Sequence, residues 1–186
     1  MPATVKLEKK KAYTYKDYER LPEGAPYQLI GGELVMTPSP VPYHQILIGR
    51  IFLKLSKYVE ENSLGIVIFA PLDVYFSNTD TYQPDIIFIS KERLNIIGEK
   101  KIEGPPDLVI EILSPATAYY DLRTKKDVYE QSGVREYWIA DPIQKTIEVF
   151  VNKKGRFEPF SSAKGEGEVK SEILAGFSLA LKEILE

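Results

Sequence analysis

A carboxylate sits in the middle of the most buried-looking run of this chain: Glu111, within DLVIEILSP (107–115), is flanked by Ile110 and Ile112. Strand alternation puts Asp107, Val109, Glu111 and Leu113 on one face, so Glu111 shares its side of the strand with aliphatic groups. An ionised carboxyl in that setting is costly unless it is paired, protonated or bound to a metal. A second acid, Asp85, follows Pro84 at the start of the apolar stretch in QPDIIFIS (83–90). Two acids on neighbouring strands offer the hard oxygen donors that Mg²⁺ prefers, with water completing an octahedron. Each also has a plainer reading: a strand acid is more often ion-paired or at an edge, and an Asp after Pro is commonly turn chemistry. The third group comes from the segment that follows, where Asp121, Lys125 and Tyr129 recur every four residues and share one helical face. Packed back over the strand, that helix would bring the Lys125 ammonium to Glu111. There it could position and help deprotonate a water and offset charge on an attacked phosphate. If the helix instead faces solvent, Lys125 merely pairs with Asp121. Lys126 lies about 100° around the helix and is the weaker candidate.

Other chemistries fall away. The chain has no cysteine, which removes disulfides, thiol nucleophiles and Cys-based zinc sites and fits a reducing compartment. It has one histidine, His44, so histidine-rich metal sites are impossible, and no GxSxG elbow accompanies that His for a Ser–His–Asp triad. Neither GxxxxGK[ST] nor GxGxxG is present to cradle nucleotide phosphates. A glycosidase pair would need two carboxyls facing each other across about 5–10 Å with no partner lysine, and a lysine at the same site counts against it.

These residues need a scaffold, and 186 residues suffice for one domain with a real core. The 44% hydrophobic and 27% charged content is that of an ordinary globular protein, and no apolar run approaches the roughly 20 residues of a membrane span. The basic N-terminus lacks an apolar stretch behind it and does not read as a secretory signal, so the cytoplasm is the expected location. The net charge of −3 argues against a non-specific DNA coat without excluding a local basic patch. Residues 1–12 read as a flexible lead-in to one domain over 13–186. A short helix is expected over 15–21, then a hairpin turning at Gly31-Gly32. The cluster TPSPVP (37–42) breaks regular structure. Ile46, Leu47, Ile48, Ile51, Phe52, Leu55, Tyr58 and Val59 mark an amphipathic helix over 43–62. Two β-type runs (65–77 and 83–90) precede the central strand 107–115, whose aliphatic content suggests cover on both faces. A helix over 121–132 closes at Gly133; a strand over 135–142, a hairpin at Lys154-Gly155 and a docked terminal helix complete an α/β domain around a mixed sheet.

Gln83-Pro84-Asp85, then DLVIEILSP, then Asp121-x3-Lys125-x3-Tyr129-x3-Gly133-Val134-x-Glu136-Tyr137-Trp138 closely resembles the Uma-two family of small endonucleases in the PD-(D/E)xK superfamily. The resemblance runs from about Tyr27 to the C-terminus, including the hairpin around Gly32-Glu33, the helix opening at His44 and the closing AGFSL. It implies a restriction-endonuclease-like mixed central sheet flanked by helices, with an N-terminal and a C-terminal hairpin. It further implies that Asp85, Glu111 and the main-chain carbonyl of Ile112 hold Mg²⁺ or Mn²⁺, and that a lysine assists. The superfamily places that lysine two positions after the Glu, where this chain has Leu113; the family is similar in this respect, its lysine corresponding to Lys125 on the following helix. Glu33 resembles a recurrent acid and would be a further metal carboxylate, although an acid beside a Gly-Gly turn is usually solvated. His44 is similarly recurrent and would contact phosphate or hydrogen-bond the site, whereas an unpartnered His is more often structural. Tyr129 would align the helix, and Asp73 would stand behind the site at most. The implied activity is endonucleolytic hydrolysis of nucleic acid, double-stranded DNA being the expected partner, for which a homodimer would suit. Leu113 and the acidic charge favour the alternative, a nuclease fold kept as a binding or regulatory module.

Overall fold

The computed structural model describes residues 12–115 and 118–186, so the expected lead-in over 1–12 lies, but for Ala12, outside the described residues. The chain opens with α1 (Tyr15–Tyr18), shorter than expected, and the hairpin β1 (Tyr27–Ile30) and β2 (Glu33–Met36). Gly31 and Gly32 have φ of 57° and 78°, the doubly left-handed geometry of a two-residue turn that favours glycine. Next comes α2 (Pro42–Glu61), whose Leu47, Ile48, Ile51, Leu55 and Val59 form the buried stripe.

The run 65–77 is two strands rather than one. β3 (Gly65–Phe69) and β4 (Val74–Ser77) flank Ala70-Pro71, and they join different sheets. Pro71 cannot donate to a ladder, so the chain leaves one sheet there and enters the other. β5 (Asp80–Tyr82) and β6 (Ile86–Ser90) follow. The polar stretch after them holds a 3₁₀ turn (Lys91–Ile96) and the two-residue β7 (Ile102–Glu103), neither of which the apolar pattern announced. The central strand is β8 (Leu108–Ile112), every residue of it buried. Beyond it stand α3 (Ala118–Tyr120), a π-helical turn over Asp121–Lys125, and α4 (Lys126–Ser132), which ends at Gly133. β9 (Glu136–Asp141), the long hairpin β10 (Thr146–Lys153) and β11 (Arg156–Lys164), β12 (Glu168–Lys170), β13 (Ser178–Ala180) and α5 (Leu181–Leu185) complete the chain.

Six strands form a mixed central sheet in the order β11-β10-β9-β8-β6-β3. Its one parallel pair is β8 with β9, joined by the crossover through α3, the π turn and α4. One face packs against α2, α5, and Val169 and Leu179 of β12 and β13, through Leu108, Ile110, Ile112, Trp138 and Ala140. The other face packs Val109, Leu113, Tyr137 and Ile139 against Tyr129 of α4 and against Val74, Tyr82 and Ile102 of a smaller sheet, β2-β1-β5-β4-β7. Burial on both sides explains why the central strand reads as a continuous apolar run. Among the described residues no helix is long and apolar enough to cross a membrane.

Candidate active site

The antiparallel register of β6 and β8 pairs Ile86 with Ile110. Carried one step further, the same register sets Asp85 opposite Glu111, so the two acids are cross-strand neighbours on one face, where Cβ atoms lie about 5 Å apart. The ladder ends there, and the Asp85 carboxylate takes over from it: Oδ2 accepts the backbone N–H of Ile112 at 2.7 Å. His44, in the first turn of α2, reaches the same place. Its Nε2 is 3.0 Å from the Ile112 carbonyl oxygen and 3.3 Å from Asp85 Oδ2. Its buried Nδ1 has no hydrogen-bond partner among the described residues, so the proton belongs on Nε2, donating to those oxygens.

Glu111 is met from the other side by the crossover. Lys125 Nζ donates to Oε1 at 3.1 Å, and the Tyr129 hydroxyl donates to the same oxygen at 2.6 Å. Lys125 also contacts Asp121 Oδ1 at 2.9 Å. All three charged groups are nearly sealed, with 3%, 1% and 2% exposure for Glu111, Asp121 and Lys125. The solvent-facing helix, with Lys125 paired only to Asp121, is therefore not what the chain forms. The π turn spans the stretch from Asp121 to Lys125, a local widening of the kind that recurs at functional sites. Tyr129 is anchored by the rings of Phe76, Tyr82 and Tyr137, with centroids 5.2, 5.8 and 5.2 Å away.

Burial pushes the Glu111 carboxyl up to about 8, reinforced by Asp121 and Asp85, while Lys125 pulls it back. Burial alone would discharge Lys125, but Glu111 and Asp121 outweigh it and hold the ammonium well above its ordinary range. Burial and the neighbouring Glu111 keep the Tyr129 phenol neutral. Lys125 in this arrangement is thus a fixed cation and hydrogen-bond donor rather than a base. The His44 imidazole loses basicity to burial, but Asp85 and the Ile112 carbonyl more than restore it, and its pKa is raised.

Among the described residues no three His, Asp or Glu side chains are gathered as a ready metal cluster. The donor chemistry still fits a hard divalent ion. A carboxylate and a main-chain carbonyl converge on one hydrogen-bond donor, His44 Nε2–H, and the same oxygen pair suits Mg²⁺ or Mn²⁺. Glu111 lies beside them, lining the same cavity of about 420 Å³ as Asp85, His44 and Lys125.

Other expected residues are placed differently. Glu33 is exposed on β2, across the hairpin from Ile30, and does not line the cavity; the glycine turn leaves its side chain to solvent. Leu113 packs in the core beneath the smaller sheet, which explains why an aliphatic residue serves there. Asp73 stands behind the cavity, its Oδ1 accepting Tyr18 hydroxyl and Gln83 Nε2, each at 2.8 Å. Sequence spacing offered the Asp121 pair and the Glu111 pair as alternatives for Lys125, whereas the structure makes both at once. Gln28, which also lines the cavity, carried no pattern that singled it out, and Gln83 entered only as the first residue of the Gln83-Pro84-Asp85 run.

A crystal structure of a protein described as a "putative nuclease belonging to DUF820", from Anabaena variabilis ATCC 29413, superposes on this chain with a TM-score of 0.77. It is 21% identical and the match covers 92% of this chain and 97% of that one, a likeness that establishes the restriction-endonuclease-like α/β architecture. No curated protein matches the chain. The model of the family described as "Putative restriction endonuclease" matches residues 15–182, a span that contains the three described sheets, the paired acids and the crossover. On that match the chain belongs to the Uma2 family, and a nuclease is the class of activity its membership supports.

Proposed function

We propose that this protein is a cytoplasmic, Mg²⁺- or Mn²⁺-dependent endonuclease that hydrolyses phosphodiester bonds in nucleic acid, with DNA as its substrate. One observation carries the reading: Asp85 and Glu111 face each other across β6 and β8 at the floor of a cavity, with a buried ammonium held against Glu111. Asp85, Glu111 and the Ile112 carbonyl would hold the ion. When bound, it would lower the pKa of a water, orient the phosphate and stabilise the leaving oxygen. Lys125 stays protonated, offsetting charge on the attacked phosphate and donating to the attacking water or a phosphoryl oxygen. Asp121 keeps Lys125 charged and aimed, and Tyr129 fixes the rotamer of Glu111 by donating to Oε1. His44, freed from the Ile112 carbonyl, is placed to donate to phosphate.

Leu113, aliphatic where the superfamily carries its lysine, favours a second reading, a nuclease fold kept for binding. Calorimetric titration with Mn²⁺ separates the two. Micromolar binding to the intact chain that is lost in Asp85→Asn supports the endonuclease, and no binding by the intact chain supports the module. In parallel, Glu111→Gln should abolish Mn²⁺-dependent cleavage of DNA while circular dichroism stays native. Full activity in that variant would refute the assignment.

A further inference from the structure

The cavity above the acids does not suit an intact duplex. Among the described residues that line it, Lys125 is the single lysine, already paired with two carboxylates, and there is no arginine. Proteins that hold a duplex do so by spreading Lys and Arg along its phosphates. Here the rim is instead Pro38, Pro40, Val41 and Pro71, flat apolar faces around a space of about 420 Å³. That volume lies in the range of pockets that swallow one small molecule whole, roughly 300–1,000 Å³.

One wall carries a fixed polar edge. Gln28 is only 4% exposed, and both ends of its amide are committed in a way that sets its orientation. Its Oε1 accepts the Gln83 backbone N–H at 2.9 Å, and its Nε2 donates to Thr37 Oγ1 at 3.1 Å. Each amide atom keeps one further capacity, a lone pair on oxygen and a hydrogen on nitrogen. A rigid donor–acceptor pair beside apolar faces is what recognises the edge of a planar heterocycle; amide side chains read adenine through just such a pair. The neighbouring Gln83 is itself held by Asp73, so this wall is preorganised before anything enters.

We propose that this cavity seats one unpaired nucleotide, its base against the prolines and the Gln28 amide and its phosphate over Asp85 and Glu111. The strand attacked is then single or locally opened rather than fully paired. This rests on the nuclease reading above, and a base in a duplex must leave its stack and its partner to enter, a cost that an unpaired base avoids.

Binding tests it independently of catalysis. Fluorescence anisotropy with a labelled 12-nucleotide single strand and the matching blunt duplex, in Ca²⁺, should give at least tenfold tighter binding of the single strand. Deoxyadenosine 5′-monophosphate at millimolar concentration should displace the strand, whereas deoxyribose 5-phosphate, which lacks the base, should not. Gln28→Leu, checked for folding by thermal melt, should weaken single-strand binding about tenfold. Equal or tighter binding of the duplex, or equal competition by the base-free sugar phosphate, overturns the proposal. Failure to hydrolyse any nucleic acid with Mn²⁺, together with intact single-strand preference, would instead refute only the nuclease reading.

Discussion

Replacing Lys125 with methionine removes a buried positive charge that faces the Glu111 and Asp121 carboxyls. Met fills most of the stem volume, so packing changes little and the loss is electrostatic. The ammonium lies 3.1 Å from Glu111 and 2.9 Å from Asp121, and all three groups are essentially out of solvent. Breaking a buried pair by removing one partner costs about 3–5 kcal/mol, because the remaining charge is left uncompensated. At 2–4 °C per kcal/mol for a chain of this size, Tm should fall by roughly 6–20 °C. Lys57 supplies the contrast: it pairs with Glu61 at 3.9 Å on the surface of α2, and Lys57→Met should cost about 0–1 kcal/mol. The pH dependence carries the sign. Glu111 is already pushed up to about 8, and without Lys125 it rises further. A carboxyl whose folded pKa lies above its unfolded value contributes most below the unfolded value, and that contribution is lost as pH rises toward the folded one. The variant should therefore lose more stability at pH 8 than at pH 5, and adding Glu111→Gln should recover part of the loss. Urea and thermal melts of the four chains at both pH values measure all of this. A Lys125→Met penalty no larger than that of Lys57→Met, or one that does not grow with pH, would refute the buried-triad account.

Three further outcomes concern the frame that holds the site. Asp107 resists burial by accepting the Ser90 N–H at 2.8 Å and pairing with Arg93 at 3.1 Å, and these outweigh desolvation to hold its pKa below the ordinary value. Its stabilisation is present above the unfolded pKa and lost as pH falls through the folded one, so Asp107→Asn should flatten the acid limb of a pH-stability curve. Glu136 is fully buried on β9 and accepts from Trp138 Nε1 at 2.6 Å, Ser171 Oγ at 2.7 Å and two backbone N–H groups at 2.8 and 3.1 Å. Glu136→Leu strands these donors; a loss of about 3 kcal/mol or more is expected, with a shift in the fluorescence of the single tryptophan. A Cβ added at Gly65 would meet the Ile89 carbonyl oxygen at 2.1 Å, so Gly65→Ala should cost about 3 kcal/mol and free the β3 edge to hydrogen exchange.

Much of this frame was legible in the sequence because local chemistry and tertiary packing agree. The glycine pair at 31–32, the stripe on α2 and the apolar β8 each follow one periodic rule, and no long-range contact opposes it. Legibility failed where the third dimension decides. GIVIFAPLDVYFS has strand composition throughout, and only membership of two sheets divides it at Pro71. The polar stretch 91–106 carries little apolar pattern, yet Ile102 is buried because β7 borrows its partner from β4. Glu136 read as a family landmark, and its real work is to cap the backbone after β12, some 35 residues on.

The lysine shows how a site can be half legible. Helical spacing puts Asp121, Lys125 and Tyr129 together, but the segment from Asp121 to Lys125 is a π turn rather than the expected α-helix. The π turn leads directly into the short α4, whose Tyr129 is pinned by three rings against the sheet. With Tyr129 fixed, Lys125 one turn earlier falls over β8, and both reach the same oxygen of Glu111. Leu113 shares its face of the strand with Val109 and Glu111 and is buried in the cluster that also holds Tyr129 and Ile139, so a lysine there would have to pack its stem into that apolar layer. Carrying the ammonium on the crossover avoids that cost and brings Asp121 with it as a second counter-charge. Leucine at 113 thus goes with a cation delivered from the crossover, and Mn²⁺ titration decides between that account and a fold kept for binding.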